Sequence, residues 1–214
     1  MAAIPMKPEY GPTLGRLLAP RWHAASALVR GLVILAGVGV VALAAGLVLT
    51  LEPARYSHGA GLPFSFSYKG LWRTAPDPGE FVKLTASSGD GGLKYSYAVA
   101  PVTLRRYSGA VSGVVPLFAR GYRERLARRY PDFVQRGEGK TRISKMLGYQ
   151  VLFTTTLGGH LIYGRAVLLF PERPGVREGV SIVMLARPNR SEHAPSEVAT
   201  EGVLLRPLKT FAFG

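Results

Sequence analysis

The sequence predicts an α+β protein in which an antiparallel β-sheet is flanked by helices and preceded by a single transmembrane helix. Three observations predict this arrangement. One apolar run near the N-terminus is long enough to cross a membrane. Several segments after residue 64 alternate apolar and polar side chains, as half-buried strands do, and one segment in the middle of the chain repeats apolar residues at helical spacing.

The apolar run covers residues 31–51, which include no charged side chain. At about 1.5 Å per residue, a helix of this length spans a hydrocarbon core of roughly 30 Å. A cleaved signal peptide is the alternative interpretation, because Ala42 and Ala44 offer small residues to a peptidase. We favour an uncleaved anchor, because a signal peptide has a shorter apolar region and a shorter polar segment before it.

Residues 1–30 are predicted to be a cytoplasmic tail, because three arginines precede the apolar run and only two basic residues follow it within a similar distance. The C-terminal part is then expected on the outer side of the plasma membrane. Residues 52–63 are rich in Gly, Pro and Ala, and we expect a linker there. The globular domain is predicted to cover residues 64–214.

The strands are predicted from alternation with a period of two. The segment "PFSFSYKGLW" places Phe64 and Phe66 on one side, and we expect Trp72, just after it, to be buried against the sheet. The segments "EFVKLTA" and "LKYSYAVAPV" alternate similarly on either side of the turn "SSGDGG". The segment "GYQVLFTTTLGGHLIYGRAVLLF" predicts a hairpin with a two-residue turn at Gly158 and Gly159, and "GVSIVMLARP" predicts a further strand.

One helix is predicted over residues 111–130, where Val115, Phe118, Tyr122 and Leu126 recur at intervals of three and four. A short second helix is expected around residues 195–205. The predicted order is β-β-β-α-β-β-β-β-α, which favours an antiparallel sheet covered by helices.

The segment "RGEGKTR", residues 136–142, contains the last three residues of a phosphate-binding P-loop. The leading glycine of that motif would have to be residue 134, which is Val134. A P-loop also follows a buried strand and precedes a helix, whereas this segment follows the predicted helix and leads to a strand. We therefore interpret it as a turn or a strand kink and expect no nucleotide site.

The opening "FSFSYKGLWRTAP", the single central helix and the closing "LKTFAFG" together resemble the PsbP-like fold. That fold includes the extrinsic subunit of photosystem II, a Ran-binding nuclear-import cofactor and many exported bacterial proteins of unassigned role. Here Lys69 stands where a proline is common, and Lys209 to Phe211 replace the usual ending. The resemblance covers about residues 62–214 and implies an α/β/α sandwich that binds or assembles without catalytic residues. The arginine excess and the anchored layout also resemble chains from GC-rich actinobacteria.

The residues themselves give little support for an enzyme. The chain has no cysteine, which excludes a disulfide framework, a thiolate zinc site and a cysteine nucleophile. The four histidines have no spacing that would present two ligands to one metal, and "GAVSG" lacks the spacing of a nucleophile elbow. We expect no catalytic residue, cofactor or metal.

Basic residues concentrate around the predicted central helix. Between residues 105 and 145 there are eleven basic and three acidic side chains, a local excess of eight within a net charge of +14. Five arginines, which we call the arginine cluster, are predicted to lie opposite the apolar face of the helix: Arg120, Arg123, Arg125, Arg128 and Arg129. A solvated helix surface and a binding surface for anionic lipid or an envelope polymer are both compatible with this pattern.

Two functional hypotheses follow. The first is a membrane-anchored, non-enzymatic accessory protein of the cell envelope, with a basic surface for anionic lipid, polymer or protein. The second is an inward-facing domain that recruits a soluble or nucleic-acid partner, although we expect nucleic acid not to be the ligand. A divergent enzyme is a third class, for which a deep pocket holding two or more titratable side chains would be the structural sign.

Overall fold

The computed structural model describes residues 26–27, 32, 34–36, 38–39, 52–173, 175–190 and 192–214. The chain divides into two units, residues 1–52 and 53–214. Most of the predicted tail and transmembrane segment lies outside the described residues. Among the described residues, no helix combines the length and the hydropathy needed to cross a membrane.

The second unit consists mainly of antiparallel strands. Its described elements are, in order, β1 (Ala54–His58), β2 (Phe64–Tyr68), β3 (Trp72–Thr74), β4 (Val82–Ser87), β5 (Leu93–Thr103), α1 (Val111–Arg129), β6 (Val134–Ile143), β7 (Met146–Leu157), β8 (His160–Leu169), β9 (Glu178–Ala186), a 3-10 helix (Pro195–Glu197), α2 (Gly202–Lys209) and β10 (Ala212–Phe213). One sheet has seven strands in the order β3-β4-β5-β9-β8-β7-β6, and a smaller sheet has the order β1-β2-β10. The predicted α+β class is confirmed.

The seven-stranded sheet carries a hydrophobic core on each face, because successive residues of a strand point to opposite sides. On one face, Val99, Ile182 and Met184 pack in a cluster with residues of the small sheet and α2. On the other face, Val151, Phe153 and other apolar residues pack against α1. The result is three layers: α1, the large sheet, and the small sheet with α2.

Part of the predicted linker, residues 52–63, is a strand. Residues 54–58 form β1, which pairs with β2 along its whole length. Tyr56 is buried in this pair, and its ring lies tilted against the rings of Phe64 and Phe66. The segment was missed because Tyr56 is its one strongly apolar residue, while its pairing partner lies several residues further along the chain.

The expected burial of Trp72 is wrong, since its side chain is 75% exposed. Phe64 and Phe66 do face the core, but Gly70 has a φ of 73° and turns the chain between β2 and β3. After this turn Leu71 enters the core, so its neighbour Trp72 points the other way at the start of an edge strand.

The two-residue hairpin turn is confirmed. Gly158 and Gly159 join β7 to β8 with φ angles of 57° and 77°, the left-handed conformation that a type I′ turn requires at both positions. The segment 136–142 was expected to be a turn or a kink, but it belongs to β6, which pairs with β7 and has a bulge between Gln135 and Gly137. It is therefore a strand and lacks the loop geometry that binds a phosphate.

Candidate functional site

A basic surface is formed by α1. Val115, Ala119, Tyr122 and Leu126 are buried against the sheet, which confirms the predicted apolar face apart from Phe118, which is half-buried. The helix has no acidic residue in its first turn and two arginines in its last. Because the apolar face points to the sheet, the arginine cluster falls on the outer side and the flanks of α1.

Two arginines of the cluster are held by side chains of other strands and loops. Arg129 Nη2 lies 2.6 Å from Asp77 Oδ2 and 2.5 Å from Glu80 Oε1. Asp77 also accepts a hydrogen bond from Lys83, which is the main cause of its lowered pKa. The carboxylates thus balance much of the positive charge at this end of α1, so Arg129 contributes little free charge to the surface.

Arg123 is the second arginine that is held in place. Its Nη1 donates a 2.7 Å hydrogen bond to Gln135 Oε1, and its Nε lies 3.4 Å from Glu138 Oε2. Both partners belong to β6. Arg123 therefore links the helix to the edge of the sheet, and its charge is compensated by Glu138.

The other three arginines of the cluster are exposed. Arg125 lies over the rings of Phe118 and Tyr122, at 5.1 and 5.4 Å from their centroids, a contact that fixes the guanidinium while leaving its charge uncompensated. Arg120 and Arg128 form no ion pair within the described part of the chain. The cluster therefore separates into two structural arginines and three that carry free positive charge.

A groove of about 550 Å³ runs between α1 and the end of β5, and we call it the α1 groove. Phe118 and Gly121 lie along it, and Leu117, which is 78% exposed, stands beside them. Three arginines also line it, Arg105, Arg125 and Arg128, and no acidic residue does. An apolar groove bordered by cations matches a ligand that has an anionic group next to hydrocarbon.

The sequence could not have located this groove, because Arg105 and Leu117 meet only through the fold. Arg105 follows β5 and was counted among the basic residues, whereas nothing marked Leu117 as exposed. The signal that did exist was the spacing of Val114, Leu117, Gly121, Arg125 and Arg128, which is that of one helical stripe.

A second polar constellation lies at the turn of the β7–β8 hairpin. Arg187 Nη1 lies 2.5 Å from Asp90 Oδ2, and its Nη2 is 3.1 Å from His160 Nδ1. The hydrogen bond from Arg187 lowers the pKa of Asp90 to about 2. These groups tie two hairpins together. The described residues hold no group of three His, Cys, Asp or Glu side chains placed to bind a metal.

The comparisons with known proteins yield similar structures but no similar sequence. No protein-family model and no curated protein matches the chain. The crystal structure of LpqN, a protein involved in cell envelope biogenesis of Mycobacterium tuberculosis, is similar over 79% of this chain and 95% of its own, with a TM-score of 0.50 and 8% identity.

Two further structures are similar at lower scores. The solution structure of CyanoP, the cyanobacterial PsbP of Synechocystis, covers 76% of this chain and 93% of its own, with a TM-score of 0.48 and 12% identity. The Ran-binding protein Mog1p of Saccharomyces cerevisiae covers 75% and 95%, with a TM-score of 0.46 and 9% identity. The chain has the PsbP-like fold, as the sequence predicted, and at 8% identity the likeness to LpqN concerns the fold alone.

Proposed function

We propose that this protein is a single-pass, membrane-anchored and non-enzymatic accessory protein of the cell envelope, and that its α1 groove binds the headgroups of anionic lipids. The observation that carries the proposal is the groove itself. Three arginines and no acidic residue line an apolar channel, and the exposed Leu117 stands at its side. This combination suits the boundary between headgroups and acyl chains.

The charges of the groove set the strength of binding. Each surface arginine near an anionic leaflet contributes about 1 kcal/mol, so the three that line the groove, Arg105, Arg125 and Arg128, together contribute about 3 kcal/mol. That figure alone corresponds to a weak, millimolar-range interaction. A tether makes weak binding sufficient, because it holds the groove at a high local concentration of lipid.

The chain supplies such a tether if residues 31–51 cross the membrane. The described residues of that segment are helical, and Leu32, Ile34, Leu35 and Val38 expose 58 to 75% of their surface, as lipid-facing side chains do. Between residue 51 and β1 only Glu52 and Pro53 remain. At about 3.5 Å per residue, these two residues span at most about 7 Å, whereas the twelve residues of the predicted linker would span up to about 42 Å.

An envelope role and an accessory role have separate support. LpqN, whose fold is similar, is involved in cell envelope biogenesis. The lining of the α1 groove includes no acidic residue, histidine or cysteine, so it lacks a general acid–base pair. We place the N-terminus in the cytoplasm and the folded domain outside, on the distribution of basic residues around residues 31–51.

Co-sedimentation with lipid vesicles tests the proposal. Residues 53–214 contain every described core residue and can be prepared without the anchor. We expect this unit to bind vesicles with 30% phosphatidylglycerol in phosphatidylcholine, to ignore pure phosphatidylcholine, and to lose most binding between low and physiological salt.

The informative variant replaces the groove arginines Arg105, Arg125 and Arg128 with Gln, and its control replaces Arg136, Lys140 and Arg142 on β6 with Gln. Both remove three positive charges, so a non-specific effect of net charge would weaken both equally. We expect only the first to lose vesicle binding. Equal binding by the first variant and the parent protein would contradict the proposal.

A further inference from the structure

The longest exposed sheet edge in the described chain is β6. It ends the seven-stranded sheet and pairs with β7 on its inner side only. The bulge near Gln135 disturbs its beginning, but from Gly137 to Ile143 the pairing is continuous. The outer backbone N–H and C=O groups of such a strand can pair with an added strand. The opposite edge, β3, has only three residues.

The side chains of β6 give this edge a positive charge. Lys140 and Arg142 are exposed and pair across the sheet with Tyr149 and Leu147, so they lie on the face that carries α1. Glu138 lies on the same face but is compensated by Arg123. Alternate residues of a strand are about 7 Å apart, so an added strand with acidic residues at every second position would face both cations. A second copy of β6 would oppose like charges, which is unfavourable.

An apolar cavity of about 700 Å³ adjoins the same face. It lies between the first turns of α1 and the strands β7 and β8, and its lining includes Val115, Leu147, Tyr149, Leu168 and Phe170. Lys140 of β6 also lines it, so the cavity reaches the edge strand. Its size is that of a ligand pocket and would accept a large side chain that an added strand directs toward α1.

We propose that β6 receives an extended acidic segment of a partner protein as an eighth strand of the large sheet. The backbone of the segment pairs with residues 137–143, its acidic side chains face Lys140 and Arg142, and one apolar side chain enters the cavity. Recognition by strand addition uses main-chain hydrogen bonds for affinity and such pockets for specificity. Charges on an edge also discourage aggregation, but that role does not require an apolar cavity beside them.

A synthetic peptide tests this proposal on the full-length protein in a neutral detergent. The probe is a ten-residue peptide that alternates Glu and Val with a central Phe, and the control peptide carries Lys in place of Glu. Hydrogen–deuterium exchange should show that the Glu peptide slows exchange at about half of the β6 amides at least tenfold, because alternate amides of an edge strand point outward. The Lys peptide should have no effect.

Two charge-reversed variants separate this surface from the α1 groove. Lys140→Glu/Arg142→Glu should bind the Glu peptide at least tenfold more weakly than the parent protein does and should bind the Lys peptide instead. Arg105→Glu/Arg128→Glu, which changes two groove arginines, has the same net charge but should bind the Glu peptide like the parent protein while losing binding to anionic vesicles. The two proposals can therefore fail independently.

Several outcomes would overturn the proposal. A Glu peptide that bound by charge alone would protect residues other than 134–143, and Arg105→Glu/Arg128→Glu would weaken its binding as much as the β6 variant does. Absence of binding to the parent protein at millimolar peptide would show that the charges only guard the edge. A dimer formed through β6, detected by sedimentation, would assign the edge to a second copy.

Discussion

Arg129 and Arg128 are adjacent in the sequence and both belong to the arginine cluster, yet the structure predicts opposite effects of replacing them. Arg129 contacts Glu80, whose side chain is 1% exposed, whereas Arg128 is exposed and forms no ion pair among the described residues. Arg129→Gln therefore leaves a buried carboxylate whose described hydrogen bond is the one that Oε2 accepts from the backbone N–H of Asp77, at 3.0 Å.

The magnitude follows from the burial of the two partners. Removing one partner of a fully buried ion pair costs about 3–5 kcal/mol. The side chain of Arg129 is 39% exposed, so water screens the pair from one side, and we expect about 1–3 kcal/mol. Arg128→Gln should change the free energy of unfolding by less than about 0.5 kcal/mol.

Urea unfolding of residues 53–214, followed by far-UV circular dichroism, measures both values. Tryptophan fluorescence suits this poorly, since Trp72 is exposed. Glu80→Gln combined with Arg129→Gln should recover part of the loss, because the buried group is then neutral. If Arg129→Gln matched Arg128→Gln within 0.5 kcal/mol, the division of the cluster into structural and free arginines would be wrong.

Three further predictions concern the fold. Trp72→Ala should cost less than about 1 kcal/mol in urea unfolding, whereas Phe66→Ala, at a side chain 1% exposed, should cost about 3–5 kcal/mol; similar costs would contradict the assigned register of β2 and β3. Gly164→Ala should destabilise the domain by about 1–3 kcal/mol, because the new Cβ would overlap the ring of Phe153, while Gly121→Ala, which meets nothing within 4 Å, should be tolerated in the same assay. Burial raises the pKa of Glu192 above its ordinary value of 4.5, so its contribution to stability is present below pH 4.5 and is lost as pH rises through the folded-state pKa. Glu192→Gln should therefore make the melting temperature less dependent on pH in this window, and an unchanged pH profile would count against this reasoning.

The elements that the sequence predicted correctly are those whose signal is local. Phe64 and Phe66 mark β2 by alternation, Gly158 and Gly159 mark a hairpin turn by their tolerance of positive φ, and Val115, Tyr122 and Leu126 mark one face of α1. In each case the residues that decide the structure belong to one strand, one turn or one helix.

The elements that it missed depend on partners that are distant in the sequence. β6 has almost no apolar alternation, because an edge strand need not bury one side completely, and its pairing with β7 makes it a strand. Trp72 follows the alternation of β2 by position, but the turn at Gly70 interrupts that alternation. The residues around β6 and Trp72 carry no local pattern that predicts the strand at β6 or the exposure of Trp72.

The candidate site was predicted in part. Helical spacing placed the arginine cluster opposite the apolar face of α1, but it could not distinguish Arg129 from Arg128. The partners of Arg129, Asp77 and Glu80, precede it by 52 and 49 residues. The α1 groove was beyond prediction for the same reason, since Arg105 comes from the end of β5.

Membrane contact by the α1 groove is the central claim, and a fluorescent label at Leu117 tests it most directly. The chain has no cysteine, so Leu117→Cys can be labelled at a single position with an environment-sensitive fluorophore, and Leu161→Cys, at a residue 49% exposed on β8, serves as the control. On vesicles with 30% phosphatidylglycerol, we predict a blue shift and a gain in intensity for the label at position 117 and no change at position 161. An unchanged spectrum at position 117 under conditions where the domain binds, or an equal shift at both positions, would contradict the claim that this groove meets the membrane.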